Sequence, residues 1–117
     1  MDCMFYLCKS LVKLDLSSFD TRNVTRIDYM FTGCKSLIKL DLSSFDTHNV
    51  TIMECMFDGC KSLVKLDLSS FDNQNVIRMK DMFSGCESLV NVIRKNFGKV
   101  KIDNQVFYGP KFAIIEV

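Results

Sequence analysis

Hydrophobic residues recur along this chain in a pattern that repeats every 26 positions. Residues 1–26, 27–52 and 53–78 align throughout, and the first two blocks differ at seven positions, which leaves 19 of 26 identical. A fourth block, 79–104, starts as MKDMFSGCESLVNV and then degenerates, with Arg94 where the earlier blocks have leucine. A period of this length predicts a solenoid, because each unit must stack on its neighbours to bury its apolar face.

Within each block, two leucines alternate with charged residues. Leu14 and Leu16 alternate with Lys13 and Asp15, and a period of two predicts a short strand with one buried face. The same pattern recurs at Leu40 and Leu42 and at Leu66 and Leu68. Strands that recur once per coil would pair into a parallel sheet.

A second apolar cluster has the spacing of one helical face. In the second block its members lie at i, i+3, i+4 and i+7 and are Ile27, Met30, Phe31 and Cys34. Thr25 and Asp28 have the spacing of a reciprocal N-terminal cap, and Gly33 marks the end. The sequence therefore predicts one short helix per coil, weakest in the fourth block, where Ile77 and Lys80 replace the capping pair.

The chain is expected to form a single α/β domain over residues 1–117, with about four to five coils. The coils are 1–26, 27–52, 53–78, a degenerate 79–104 and a truncated capping coil at 105–117. The last assignment rests on Val106-Phe107-Tyr108-Gly109, which resembles earlier blocks, and on the spacing of Phe112, Ile115 and Val117.

Composition narrows the class of protein. The 117 residues are 48% hydrophobic and 25% charged, with a formal net charge of +1. This balance gives no basic surface for nucleic acid. No apolar run reaches the roughly 18–20 residues of a membrane helix, and the N-terminus does not resemble a signal peptide, so we expect no membrane insertion.

Four of the six cysteines form a row at one repeat position. Cys8, Cys34, Cys60 and Cys86 lie on the inward face of the predicted helix, which favours buried thiols. A disulfide between adjacent coils stays open, since Cα atoms about 5 Å apart permit one. Cys3 and Cys55 occupy a variable outward position, and the chain has no C-x-x-C spacing for zinc.

No residue set points to catalysis, a cofactor or a metal. The lone His48 stands where other blocks have Arg22 and Gln74, so it has no evident nucleophilic partner. Carboxylates recur at Asp20, Asp46 and Asp72, where stacked oxygens could hold calcium. The interpretation we prefer is that they fix turns by accepting from backbone amides, as Asn23, Asn49 and Asn75 would also do.

The outward strand face is the candidate interaction face. It carries two rows of charge, a lysine row (Lys13, Lys39 and Lys65) and an aspartate row (Asp15, Asp41 and Asp67). Diagonal pairs between the rows would offset like-charge repulsion. The alternative is a solvated face that only keeps the sheet soluble.

The repeated motif MFxGCxSLxxLDLSSFDTxNVT resembles the BspA-like leucine-rich repeats of microbial surface proteins. The resemblance implies a leucine-rich-repeat solenoid in a secreted or cell-surface protein that binds host proteins or matrix, and it brings no catalytic residues. We therefore expect a non-enzymatic module for protein–protein interaction, with adhesion as its setting. The alternative is a structural spacer or a fragment of a longer array.

The first block has no N-terminal cap. Leu11, Leu14 and Leu16 would lie on a strand with one unpaired edge. We therefore expect self-association through the N-terminal coil.

Overall fold

The 26-residue period sets the register of backbone pairing. The computed structural model describes residues 1–96 and 113–116, in which three strands form one parallel sheet in the order β1-β2-β3. The strands are β1 (Lys65–Asp72), β2 (Asn91–Asn96) and β3 (Ala113–Glu116). Lys65 pairs with Asn91, 26 positions later, and Asn91 pairs with Ala113, 22 positions later. The third strand therefore belongs to a shortened unit.

Of the strands predicted in the first three repeats, only that at Leu66 and Leu68 is present, within β1. Leu40 and Leu42 are buried as the alternation predicts, but their backbone is not in a strand. The pairing is looser there, because the Ile38 amide lies 3.4 Å from the Val12 carbonyl. The equivalent Val90 amide lies 2.7 Å from the Val64 carbonyl.

The predicted α/β leucine-rich-repeat solenoid, with a helix and a strand in each coil, is wrong. The described residues contain no helix, and the segments predicted to be helical, such as 28–33 and 54–59, are turns. The molecule has principal extents of 32 × 31 × 23 Å, so it is compact rather than elongated. The prediction of a weakest helix in the fourth block is wrong for the same reason, since 80–85 is also a turn.

Two residues per turn prevent a helix from forming. Tyr29 has φ 58° and Gly33 has φ 75°, whereas every residue of a right-handed helix needs a negative φ. The same positions have positive φ in the other three repeats. The apolar spacing still places Ile27, Met30 and Phe31 in the core, because all three are fully buried.

Alternate amides of these turns bond to the next repeat, and the amides between them bond within their own turn, as the Cys34 amide does to the Phe31 carbonyl at 3.1 Å. Every second amide donates to a carbonyl 25 positions later. The distances are 2.9 Å from Phe5 N to Met30 O, 2.9 Å from Phe31 N to Met56 O and 3.0 Å from Phe57 N to Met82 O. Backbone groups that a helix would satisfy locally are thus satisfied between repeats.

The predicted N-terminal cap is absent, because Asp28 and its equivalent in the third repeat, Glu54, form ion pairs with arginines instead. Asp28, whose side chain is 4% exposed, binds Arg26 at 3.0 Å, and Glu54 binds Arg78 at 3.0 Å. The Thr51 hydroxyl donates to the carbonyl of Thr25 in the preceding repeat.

Aromatic rings stack along the core at the repeat interval. Phe31 lies 5.6 Å from Phe5 and 5.7 Å from Phe57 between ring centroids, with interplanar angles of 5° and 4°. Phe57 and Phe83 continue the row at 5.9 Å. Because offset ring pairs add to the free energy of area burial, identical residues at equivalent positions hold adjacent repeats in register.

Part of the predicted C-terminal organisation lies outside the described residues. This applies to 97–112 and 117, and so to the end of the degenerate coil and most of the predicted capping coil, including Phe107 and Phe112.

Candidate interaction face

The two rows of charge lie on the surface. All six residues of the lysine row and the aspartate row are exposed. Lys65 and Asp67 are in β1, and their equivalents occupy the same positions in the first two repeats. The structure thus brings the residues predicted from the sequence to one side of the molecule.

Each carboxylate of the aspartate row accepts a hydrogen bond from the backbone amide two residues later. The Asp15 carboxylate accepts from the Ser17 amide at 2.9 Å, and Asp41 and Asp67 accept in the same way from Ser43 and Ser69. Hydrogen bonds from the Ser17 side chain and amide lower the pKa of Asp15, and those from Ser43 lower the pKa of Asp41. The lowered pKa values favour the ionised form of Asp15 and Asp41, and all three aspartates already have hydrogen-bond donors.

Among the described residues, the diagonal pairs predicted between the lysine row and the aspartate row do not form salt bridges. The ammonium groups of Lys13, Lys39 and Lys65 therefore face solvent without an ionic partner from the aspartate row.

An aliphatic row borders the lysines and was not predicted as part of the site. Its residues each follow a leucine that is half-buried in the first repeat and buried in the other three. They remain about half exposed: Val12 45%, Ile38 50%, Val64 48% and Val90 54%. A signal was present in the sequence, since an aliphatic residue recurs here in all four repeats outside the alternating pattern. Stacking of the repeats turns four single exposed residues into a continuous apolar strip.

The strip and the lysines line an open groove. It has a volume of about 540 Å³ and lies between the second and third repeats. Its walls are formed by Ile38, Lys39, Leu40, Asp41, Val64, Lys65 and Asp67. A smaller cavity of about 270 Å³ lies beside the serine turns, between Asp15 and Asp41. The larger groove combines apolar walls, from Ile38 and Val64, with the exposed cations of Lys39 and Lys65.

The cysteine row is structural. Cys34, Cys60 and Cys86 are buried, as predicted, whereas Cys8 is half-buried. Each buried thiol donates to a phenylalanine carbonyl in the preceding repeat, at 3.2 Å for Cys34 and 3.1 Å for Cys60. Burial raises the pKa of Cys34 to about 11 and that of Cys86 to about 12. All six cysteines are free, so the structure contains no disulfide between coils.

The second set of aspartates fixes turns, as the sequence predicts. The carboxylates of Asp20, Asp46 and Asp72 accept from the amide two residues later. Hydrogen bonds from the Arg22 side chain and amide lower the pKa of Asp20 to about 2. The asparagines behave differently from the prediction, because Asn49 donates at 2.7 Å to the Arg22 carbonyl of the preceding repeat. Asn75 donates in the same way to the His48 carbonyl at 2.7 Å, so these two asparagines bond between repeats rather than within their own turn.

Neither a metal site nor a membrane-spanning helix is present in the described part of the chain. Among residues 1–96 and 113–116, no group of three or more His, Cys, Asp or Glu side chains is placed to hold a metal ion. The described part of the chain also has no helix of the length and apolarity needed to cross a membrane.

Comparison with known proteins gives one family. The sequence profile described as "Mycoplasma protein of unknown function, DUF285" matches residues 1–113. No curated protein and no solved structure matches the chain.

Proposed function

The chain belongs to the DUF285 family of Mycoplasma proteins of unknown function, and from its surface we propose that it is a non-enzymatic module that binds another protein. The observation that carries the proposal is the groove between the second and third repeats, where Ile38 and Val64 are exposed beside Lys39 and Lys65. The resemblance to BspA-like surface proteins supports a role in adhesion at a cell surface.

The residues that line the groove favour a partner with both apolar and acidic side chains. An exposed aliphatic strip favours apolar side chains, because their burial removes both surfaces from water. The neighbouring lysines favour carboxylates, whereas the aspartates already accept from the Ser43 and Ser69 amides. The partner segment is therefore extended, with apolar and acidic residues in alternation.

A binding experiment tests this function. Short labelled peptides in which leucine alternates with glutamate are titrated with the protein and followed by fluorescence anisotropy, beside peptides with lysine in place of glutamate. We expect binding of the acidic peptides only. The double variant Lys39→Glu and Lys65→Glu should weaken it by about tenfold or more, since each lost pair contributes up to about 1 kcal/mol.

The matched control reverses the charge of two lysines that lie outside the groove. Lys9 and Lys35 are equally exposed and occupy equivalent positions in adjacent repeats. Lys9→Glu and Lys35→Glu together should leave peptide affinity unchanged. Equal loss in both double variants, or no binding of any peptide, would contradict the proposed function.

The second candidate is a structural spacer without a ligand of its own. It is favoured by the regularity of the bonds between repeats, which recur at 2.9–3.0 Å from the phenylalanine amides through four repeats. The same titration separates the two candidates, because a spacer binds neither class of peptide.

A further inference from the structure

The outward face of the sheet loses its charge between β1 and β2. In β1 this face carries Lys65 and Asp67, and both side chains are exposed. Asn91 of β2 pairs with Lys65, and Ile93 pairs with Asp67. In β3, Ile115 pairs with Ile93. An isoleucine row, Ile93 and Ile115, therefore takes the place of the aspartate row in β2 and β3.

The isoleucine row points to solvent on the same side as the charges. Paired residues of a parallel sheet share a face, and neighbours along a strand point to opposite faces. Leu66 and Val92 are paired and buried, at 1% and 0% exposure, so Asp67 and Ile93 point outward. Ile93 is half-buried and Ile115 is 39% exposed. Both isoleucines thus keep apolar surface in contact with solvent.

The isoleucine row adjoins the exposed aliphatic strip. Val64 and Val90 directly precede β1 and β2, and the Val90 amide bonds to the Val64 carbonyl at 2.7 Å. Val64 also lines the groove, beside Lys39 and Lys65. Together with the isoleucine row, these two valines form the aliphatic end of the face. It extends the apolar wall of the groove past the point where the lysines stop.

We propose that the partner segment of the groove crosses the strands onto the aliphatic end, with its acidic residues on the lysines and an apolar residue on Ile115. This inference rests on the proposed function and specifies the order of residues in the partner. The lysines attract carboxylates at one end of the face, whereas the isoleucines gain only from apolar side chains at the other. The partner segment therefore has an acidic half and an apolar half.

The spacing of stacked strands sets the spacing of residues in the partner. Neighbouring strands lie about 4.8 Å apart, so the three steps from the Lys39 segment to β3 span about 14 Å. In an extended segment, residues that face the same side are about 6.6 Å apart, and two such steps cover about 13 Å. Acidic residues at i and i+2 then meet Lys39 and Lys65, and an apolar residue at i+4 meets Ile115.

Peptides of one composition in two orders test the proposal. The first order is Glu-Leu-Glu-Leu-Leu, made in both chain directions, and the second is Glu-Leu-Leu-Leu-Glu. Each is labelled and titrated with the protein by fluorescence anisotropy. We expect the first order, in one chain direction, to bind about tenfold more tightly, since only it places leucine on Ile115. The double variant Ile93→Thr and Ile115→Thr keeps β-branched side chains in the strands and should remove this preference.

The matched control is Ile77→Thr, because Ile77 is 63% exposed and lies between β1 and β2 rather than in the sheet. It should leave the preference unchanged. Equal affinities for the two orders, or a preference that the isoleucine variant retains, would overturn the aliphatic end. The proposed function would then still stand if Lys39→Glu and Lys65→Glu weaken binding.

Two further outcomes would also contradict the proposal. No binding of either order would overturn the proposed function and this inference together. A dimer, seen by light scattering, that Ile93→Thr and Ile115→Thr dissociate would make the aliphatic end an interface between copies of this chain.

Discussion

At the scale of the residue, the buried thiols show how one small side chain serves two purposes. Cys34 is fully buried and donates its thiol proton to the Phe5 carbonyl at 3.2 Å. It therefore fills core volume like a hydrophobic residue and also satisfies a carbonyl of the adjacent repeat. The bond requires the protonated thiol, and burial of Cys34 also disfavours the thiolate.

This protonation predicts a loss of stability in alkali. Burial raises the pKa of Cys34 from 9.0 to about 11, so above pH 9 the unfolded chain loses the thiol proton while the folded chain keeps it. The free energy of unfolding should therefore be highest below pH 9 and fall between pH 9 and 11. Urea denaturation at pH 8, 9 and 10 measures the change.

Two alanine variants isolate the contribution of the buried thiol. Cys34→Ala should show a smaller decrease between pH 8 and 10, whereas Cys3→Ala, at an exposed position, should keep the decrease of the unsubstituted protein. An unaltered pH dependence in Cys34→Ala would contradict the assignment.

At the scale of the element, the turn that replaces the predicted helix depends on left-handed residues. Each turn has two residues with positive φ, such as Tyr29 and Gly33. In this backbone conformation alternate amides point toward the next repeat and bond to its carbonyls. At one position the repeats use Tyr29, Cys55 and Asp81 and accept the strain of a positive φ. At the other, three repeats use glycine, because the backbones approach closely.

The two positions should respond differently to substitution. Gly59→Ala introduces a Cβ at φ 73°, 3.6 Å from the Gly33 backbone, and should lower the free energy of unfolding by about 1–2 kcal/mol. Asp81→Gly, at φ 56°, removes strain and should change it by less than about 0.5 kcal/mol. Chemical denaturation compares the variants, and an equal effect at both positions would count against close packing of the glycine row.

At the scale of the whole molecule, stability comes from contacts between equivalent residues. The phenylalanine row, the cysteine row and the amide bonds all join one repeat to the next. The free energy of folding is then approximately a sum over repeats and their junctions. Adjacent junctions are nearly interchangeable, because the residues that form them are the same.

Removal of one whole repeat should therefore preserve folding. Deletion of residues 27–52 brings the first and third repeats into the contact that each now makes with the second. We expect a folded chain with a lower urea m-value, because m scales with the surface exposed on unfolding. Deletion of residues 27–39 removes half a repeat and should abolish cooperative unfolding, since it puts the apolar positions out of register. If the two deletions behave alike, the junctions are not interchangeable.

The repeat period, the core residues and the exposed charges can all be predicted from the order of residues along the chain. The 26-residue repeat and its apolar spacing correctly placed Phe31 and Cys34 inside and the lysine and aspartate rows outside. Burial depends on which residues are apolar and on their spacing, and both can be read from one chain. The alternation of apolar and charged residues also predicts the strand at Leu66 and Leu68. This strand forms because its backbone pairs with Val92 and Arg94 of the next repeat.

The backbone conformation of the turns and the shape of the candidate interaction face depend instead on contacts between repeats. Ile27, Met30, Phe31 and Cys34 face inward in either a helix or a turn, so their spacing cannot distinguish the two. The turn is stable because the Phe31 amide finds the Met56 carbonyl in the next repeat, a partner that no local pattern reveals. The groove likewise exists because stacking places Ile38 beside Val64, 26 positions apart in sequence and adjacent in the fold.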